Sequence, residues 1–321
     1  MRVASALVMA SLDAPAGPRP TLLWTHGTTG VAEDCAPTLL PDPVAAGGMP
    51  AVEQALDRGW AVVAPDYTGL GTEGPHPYLI GSPEATSSLD AVRAARQLAG
   101  LELGEETVVW GHSQGGGAAL WVGIEAPRYA PDVPLAGVAG LAPAGDLVSL
   151  AAGLQRSPGG NLFATYVLSA YADWYEDVAF EDYVRPAALT TARAIASRCI
   201  NEPAVFLSVA ALLPGEGLFA RDLASGPLRE RLAQNVPGEP TSTPTFVGQG
   251  EADELVLPDV QRRFAQRLCE GGQAIDYRSY AGRDHVSVVA DDSPLVPALL
   301  RWTEARFAGE TPAPGCAFRR G

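Results

Sequence analysis

The pattern most able to do chemistry is Gly111-His112-Ser113-Gln114-Gly115, set between the apolar run Thr107-Val108-Val109-Trp110 and the small-residue run Gly115-Gly116-Gly117-Ala118-Ala119. A G-x-S-x-G pentapeptide alone is a weak signal, and its meaning comes from a strand before it and a helix after it. A sharp strand-to-helix turn forces the central residue into a strained conformation, and glycine on either side lets neighbouring backbones pass close by. Ser113 would then project its hydroxyl over the carboxyl ends of the strands, at a helix start whose dipole favours negative charge. That is the setting of a serine nucleophile; the plain alternative is an incidental glycine-rich turn.

A serine hydroxyl needs a base, and the chain has four histidines. His112 adjoins the serine on a tight turn, where neighbouring side chains diverge. His26 lies in the turn Trp24-Thr25-His26-Gly27, and His76 in the loop Gly74-Pro75-His76-Pro77, which has no strand-end setting. His285 follows a strand expected over residues 274–280, in the short loop Ala281-Gly282-Arg283-Asp284-His285. A general base belongs at such a strand end; the plain alternative is a hydrogen-bonded loop histidine. The imidazole in turn needs an orienting carboxylate. Asp284 is its immediate neighbour and would point elsewhere. Asp253 lies just past a strand expected over residues 244–248, and it is favoured over Glu251 and Glu254 because its turn comes before Leu255-Val256 and the helix that follows. A developing oxyanion needs two aimed N–H donors. The backbone N–H of Gln114 supplies one, and the turn His26-Gly27-Thr28-Thr29-Gly30 supplies the other, from Thr28 or Thr29.

The frame that would hold these residues alternates strand and helix signals, which argues for an α/β fold with a mainly parallel sheet and helices on both faces. Short apolar strands are expected at 21–25, 60–64, 107–110, 133–141, 244–248 and 274–280, as befits strands covered on both faces. Helices are expected at 50–57, 82–98, 115–124, 257–269 and 294–307. The amino terminus reads as a strand followed by a hairpin-like turn into residues 21–24 rather than as a signal peptide. Between 146 and 240 the alternation stops. This stretch reads as helices broken at Pro158-Gly159-Gly160, Pro186, Pro203 and Pro214-Gly215, rich in Tyr, Trp and Phe. We read it as a helical cap inserted into a core formed by residues 1–145 and 241–321, rather than as helices buttressing the sheet. Residues 309–315, rich in Pro and Gly, read as a surface strap.

Composition narrows the chemistry further. The chain of 321 residues contains no lysine, its 22 basic residues all being arginine. That excludes a Schiff-base or pyridoxal-phosphate lysine, a phosphate-cradling P-loop lysine and a kinase strand lysine. A formal charge of −15 makes a poor partner for nucleic acid or an anionic membrane surface. With 47% apolar and 18% charged residues the chain can bury a large core, so it is not a disordered segment. No apolar run approaches the ~20 residues that cross a bilayer. The four cysteines, Cys35, Cys199, Cys269 and Cys316, form an even set without C-x-x-C spacing, and neither metal nor cofactor is implied.

The motifs converge on a resemblance. His26-Gly27-Thr28-Thr29-Gly30, Glu33-Asp34-Cys35-Ala36-Pro37, Pro65-Asp66-Tyr67-Thr68-Gly69-Leu70-Gly71, residues 111–117 and Arg283-Asp284-His285 together resemble the secretory lipase family of α/β-hydrolases, from about residue 5 to the carboxyl terminus. The order Ser113, Asp253, His285 is also that of the α/β-hydrolase triad. The resemblance implies hydrolysis of carboxylic esters, often with acyl chains, by those three residues through an acyl-enzyme. It puts the first oxyanion donor near Thr29, where the family can carry an acidic residue, so a side-chain contribution there is in doubt. It implies the pairs Cys35–Cys199 and Cys269–Cys316, hence an oxidising, extracellular setting, with four reduced cysteines in a cytoplasmic enzyme as the alternative. It also implies that the family's longer amino-terminal section and leader are absent from this chain. The expected partners are a small-molecule ester and, through the cap, a transient lipid interface; no feature points to an oligomeric state. Two rivals share the pattern: a biosynthetic acyltransferase or thioesterase with the same triad, and a non-catalytic binding protein on the same fold.

Overall fold

The computed structural model describes residues 2–13, 17–155, 159–203, 217–310, 312 and 315–321. Among them, the strands are β1 (Ala6–Met9), β2 (Arg19–Thr25), β3 (Ala61–Pro65), β4 (Leu103–His112), β5 (Leu135–Leu141), β6 (Thr245–Gly250), β7 (Ile275–Tyr280) and β8 (Cys316–Arg320). They form one eight-stranded sheet in the order β1-β3-β2-β4-β5-β6-β7-β8. All neighbours are parallel except β1, which runs antiparallel to β3.

The helices between strands are α1 (Pro43–Gly47), α2 (Val52–Asp57), α3 (Gly81–Ala95) and α4 (Gln114–Tyr129). After β5 come α5 (Leu147–Leu154), α6 (Gly160–Trp174), α7 (Phe180–Tyr183), α8 (Leu189–Ala196) and α9 (Gly226–Gln234). The closing pair is α10 (Pro258–Glu270) and α11 (Leu295–Phe307).

Successive strand residues face opposite sides of a sheet, and the core follows that rule. Leu23, Val63, Val109, Val138 and Val247 pack under α3, α4 and α10, against Leu89, Val92, Leu120 and Phe264. Their neighbours Leu22, Val62, Val108, Ala139 and Phe246 face α2 and α11, against Ala55, Val296, Leu299 and Trp302. With both faces buried, the strands are mostly apolar, and two of the large indoles find partners for their N–H groups. Trp24 donates its indole N–H to the Gly47 carbonyl at 2.9 Å and Trp110 to the Thr303 hydroxyl at 2.8 Å. Helices α5 to α9 gather a third cluster, which also takes in Tyr78, Leu79, Ile80 and Ala144 from the core loops. The side chain of Asp146 starts α5 by accepting from the Ser149 amide at 3.1 Å, the usual N-cap arrangement.

The structure departs from the sequence reading in three places. The amino-terminal strand makes no hairpin with β2, because β2 already has β3 on one edge and β4 on the other. Strand β1 therefore takes the free edge of β3, pairing Ala6 with Pro65 and Met9 with Val62. A helix, α1, precedes α2 where none was expected, and the chain beyond the carboxyl-terminal strap forms β8 on the edge of β7. Residues 311, 313 and 314 of the strap, and the breaks expected at Pro158 and Pro214-Gly215, lie outside the described residues. Pro186 does separate α7 from α8.

Two disulfides fix the ends of this frame. Cys35–Cys199 joins the loop after β2 to the segment after α8, and Cys269–Cys316 joins the end of α10 to the first residue of β8. The second spans 47 residues of sequence, a closure worth about 4 kcal/mol if the benefit is mainly unfolded-chain entropy. Replacing Cys269 and Cys316 together by alanine should lower the melting temperature and speed amide exchange over β8. An unchanged melting temperature would show that β8 is held by its ladder alone.

Candidate active site

Ser113 sits at the end of β4 with φ 57° and ψ −118°, a conformation that costs a non-glycine residue about 1–3 kcal/mol. The surroundings enforce it. The Ser113 amide donates to the Leu141 carbonyl on β5 at 3.0 Å, and its own carbonyl accepts from the Gly117 and Ala144 amides at 3.1 and 2.9 Å. A Cβ on Gly111 would overlap the Gly115 carbonyl and the Thr25 hydroxyl, and one on Gly115 would overlap the Thr25 and His26 carbonyls. Glycine at both positions is thus a steric requirement of the turn.

The His285 imidazole bridges Ser113 and Asp253. Its Nε2 lies 2.9 Å from Ser113 Oγ and its Nδ1 lies 2.8 Å from Asp253 Oδ2. A carboxylate only accepts, so Nδ1 carries the proton and Nε2 is left bare to receive the serine hydroxyl. Asp253 has no exposed side-chain surface. Its Oδ1 accepts from the Leu255 and Val256 amides, and its Oδ2 accepts from the Gln249 side chain as well as from His285. These donors hold the carboxylate in one orientation. The competing carboxylates are engaged elsewhere or open to solvent. Glu251 binds Ser279 and Arg320, Glu254 is exposed, and Asp284 caps its own turn through Val286 and Ser287.

The remaining histidines take other parts. His112 is half-buried and held down to about 3, chiefly by desolvation and then by the nearby His285. It is therefore neutral, and its Nε2 donates to the His285 backbone carbonyl at 2.8 Å. It is a clamp on the loop that carries His285. His26 is buried beside Tyr67, whose hydroxyl donates to the His26 carbonyl at 3.0 Å.

Gln114 opens α4, where the first N–H groups have no partner within the helix. The 26–30 turn packs against the elbow: a Cβ on Gly27 would lie 3.4 Å from the His112 carbonyl and 3.9 Å from the Ser113 Cβ. Thr28 Oγ1 lies 2.8 Å from the Tyr78 hydroxyl. The Thr29 hydroxyl is buried with no hydrogen-bond partner among the described residues, and the Thr29 carbonyl accepts from the Ile200 amide at 2.8 Å.

Below the site lies a polar network absent from the sequence reading. The Gln114 side-chain amide nitrogen is 2.6 Å from Glu84 Oε1 and 3.1 Å from His76 Nε2, and the Leu79 amide also donates to Glu84 Oε1 at 3.1 Å. Burial pushes the Glu84 carboxyl up to about 8 and the His76 imidazole down to about 3, so both are neutral near pH 7. The one signal in the sequence was spacing: Glu84 shares the buried stripe of α3 with Ser88, Leu89 and Val92. His76 sits on a loop, and nothing local to its sequence foretold the contact.

The cavity at Ser113 is narrow. It holds about 20 Å³, room for roughly one water, and is walled by Tyr78, Leu79 and Ala144, by Leu150 and Leu154 of α5, by Phe163 of α6 and by Leu255 and Val256. A larger groove of about 830 Å³ between β1 and α3 includes none of the residues Ser113, Asp253 or His285.

Residues 47–315 match the secretory lipase family. The chain belongs to that family. Lipase 2 of Candida albicans is 27% identical over 290 residues, covering 84% of this chain and 60% of the relative. A Mycobacterium tuberculosis protein described as a probable inactive lipase is 29% identical over 278 residues, covering 81% of this chain and 58% of that protein. The chain thus spans about 60% of the length of these curated relatives. The crystal structure of Candida antarctica lipase A in its closed state superposes with a TM-score of 0.76 at 22% identity, over 97% of this chain and 75% of that one. The fold is that of the α/β-hydrolases.

The buried Glu84 makes stability depend on pH. A carboxyl that the fold keeps protonated binds a proton the unfolded chain has released. Its contribution is full below the ordinary glutamate value of about 4.3 and is lost as pH rises through about 8. Glu84→Gln keeps the shape without the titration. The wild-type melting temperature should therefore fall more steeply than that of the variant between about pH 5 and about pH 9. Parallel curves would show that Glu84 ionises alike in both states.

Proposed function

We propose that this chain is a serine carboxylic-ester hydrolase working through an acyl-enzyme. The observation that carries the reading is the His285 bridge, with Nε2 2.9 Å from Ser113 Oγ and Nδ1 2.8 Å from Asp253 Oδ2. Ser113 Oγ attacks the ester carbonyl carbon as its proton passes to His285 Nε2. The oxyanion is received by the Gln114 amide and by the Thr28-Thr29 turn, while Asp253 stabilises the imidazolium. The tetrahedral intermediate collapses, His285 protonates the departing alcohol, and the acyl group stays on Ser113. Water then attacks that ester carbonyl, giving its proton to His285, and the acid leaves as Ser113 recovers its proton.

The family membership supports this reading, since the relatives are named lipases. The apolar wall of Leu150, Leu154, Phe163 and Leu255 suits an uncharged acyl chain. We assign residues 146–240 as a cap, because Leu150 and Leu154 of α5 and Phe163 of α6 wall the narrow cavity at Ser113. The two disulfides and the family's secretory description favour an extracellular setting.

One relative is described as inactive, so the chemistry is tested directly. The wild type should hydrolyse a short nitrophenyl ester and label with a fluorophosphonate, and Ser113→Ala should do neither. Asp253→Asn should cut kcat by about 10⁴, as the wrong-tautomer effect does in serine proteases, whereas Glu251→Gln should stay within about twofold. Turnover retained in Ser113→Ala would refute the nucleophile, and a large loss in Glu251→Gln would move the acid.

A further inference from the structure

We infer that the Cys35–Cys199 disulfide, with the Ile200 amide beside it, positions the oxyanion donor of the Thr28-Thr29 turn. This rests on the acyl-transfer reading above and goes further, by giving a covalent link outside the reacting groups a part in transition-state stabilisation.

The two donors are held very differently. The Gln114 amide belongs to a helix start locked by the strained elbow at Ser113. The 28–30 turn has neither a helix nor a sheet ladder to set its direction. Two core tyrosines anchor its first half, Tyr67 on the His26 carbonyl and Tyr78 on the Thr28 hydroxyl. Its second half is anchored from across the chain: the Thr29 carbonyl accepts from Ile200, the residue after Cys199. That bond fixes the peptide plane immediately following Thr29.

The disulfide also lies directly on the turn. Gly30 has φ 142°, and a Cβ there would stand 2.5 Å from Cys35 Sγ and 3.1 Å from Cys199 Cα. Cys35 is fully buried and Cys199 is 5% exposed, so the bridge fills the space that a side chain on the turn would need. On the other side, the Tyr166 hydroxyl donates to the Arg198 carbonyl at 2.8 Å, so α6, α8 and the 199–200 segment reach the turn as one packed body. Cutting the bridge removes the covalent part of that contact and leaves, among the described residues, the Ile200–Thr29 backbone hydrogen bond to hold that end of the turn.

Losing an oxyanion donor outright costs about 10²–10³ in kcat. A donor left in place but loosely aimed should cost less, about tenfold. Because the contact strengthens only as the oxyanion forms, the loss should fall on kcat with KM within about twofold. The test compares the wild type, Cys35→Ala/Cys199→Ala and Cys269→Ala/Cys316→Ala on a short nitrophenyl ester, well below each melting temperature and per site titrated with fluorophosphonate. The first double variant should lose kcat by about tenfold or more, and the second should keep it despite its own loss of stability. Ile200→Pro, which removes the donating N–H and keeps the disulfide, should lose kcat in the same direction and serves if the first double variant does not fold. Unchanged kcat in either variant of the turn contact, a change confined to KM, or equal kcat losses in both double variants would each overturn the inference. A wild type that neither labels nor turns over ester would remove the acyl-transfer reading, and the inference with it. An active wild type with an unaltered variant would remove the inference alone.

Discussion

The structure depends on one backbone constraint, the forced turn at Ser113. A residue at φ 57° and ψ −118° cannot hold itself there; the strain of about 1–3 kcal/mol has to be offset by neighbours. Here β5 takes its amide, α4 and the 142–145 loop take its carbonyl, and the Thr25 and His26 carbonyls close on Gly115. The strands that meet at this point, β2, β4 and β5, are the middle of the sheet, and their ends here are buried on both faces. The strain is therefore met by the best-packed part of the molecule, and the serine hydroxyl is presented without needing any side chain to push it.

Around that turn the chain solves a second problem, the burial of polar groups. Three histidines, a glutamate and several tyrosines lie within the layer beneath the cavity, and an unpaired buried charge there would be costly. The solution is neutrality. His76 and His112 are depressed and Glu84 is raised, each by burial first. Asp253 is the exception in kind: its carboxylate is met by two backbone amides, the Gln249 side chain and His285.

What could be read from the sequence follows from the range of each interaction. Parallel strands buried on both faces are short apolar runs, so β2 to β7 were visible, and the residues at their carboxyl ends could be placed with them. The resemblance to a known family supplied the disulfide pairing, which spacing alone could not. Edge strands were harder. β1 finds its partner through the occupancy of β2, a property of the assembled sheet. β8 is Cys-Ala-Phe-Arg-Arg, too brief and too polar to signal itself. The Glu84–Gln114–His76 network joins three segments across three different elements. Only the position of Glu84 on the buried stripe of α3 hinted at it. Loop residues such as His76 carry no periodicity, so their long-range contacts leave no local trace.

The lysine-free composition fits this organisation. A site that fixes charge with ammonium groups needs flexible, strongly hydrated side chains brought to it and desolvated there. This one uses groups whose positions the fold has already determined: the amides of Leu255 and Val256 on Asp253, the His285 carbonyl on His112, the helix start at Gln114. Backbone groups cannot swing away, but their precision is only that of the segments they belong to. The elbow half of the site inherits its precision from the sheet. The Thr28-Thr29 half is a loop, and it must borrow rigidity from somewhere. In this chain the segment that ends at Cys199 packs on the turn, through the disulfide against Gly30 and the Ile200 amide on the Thr29 carbonyl.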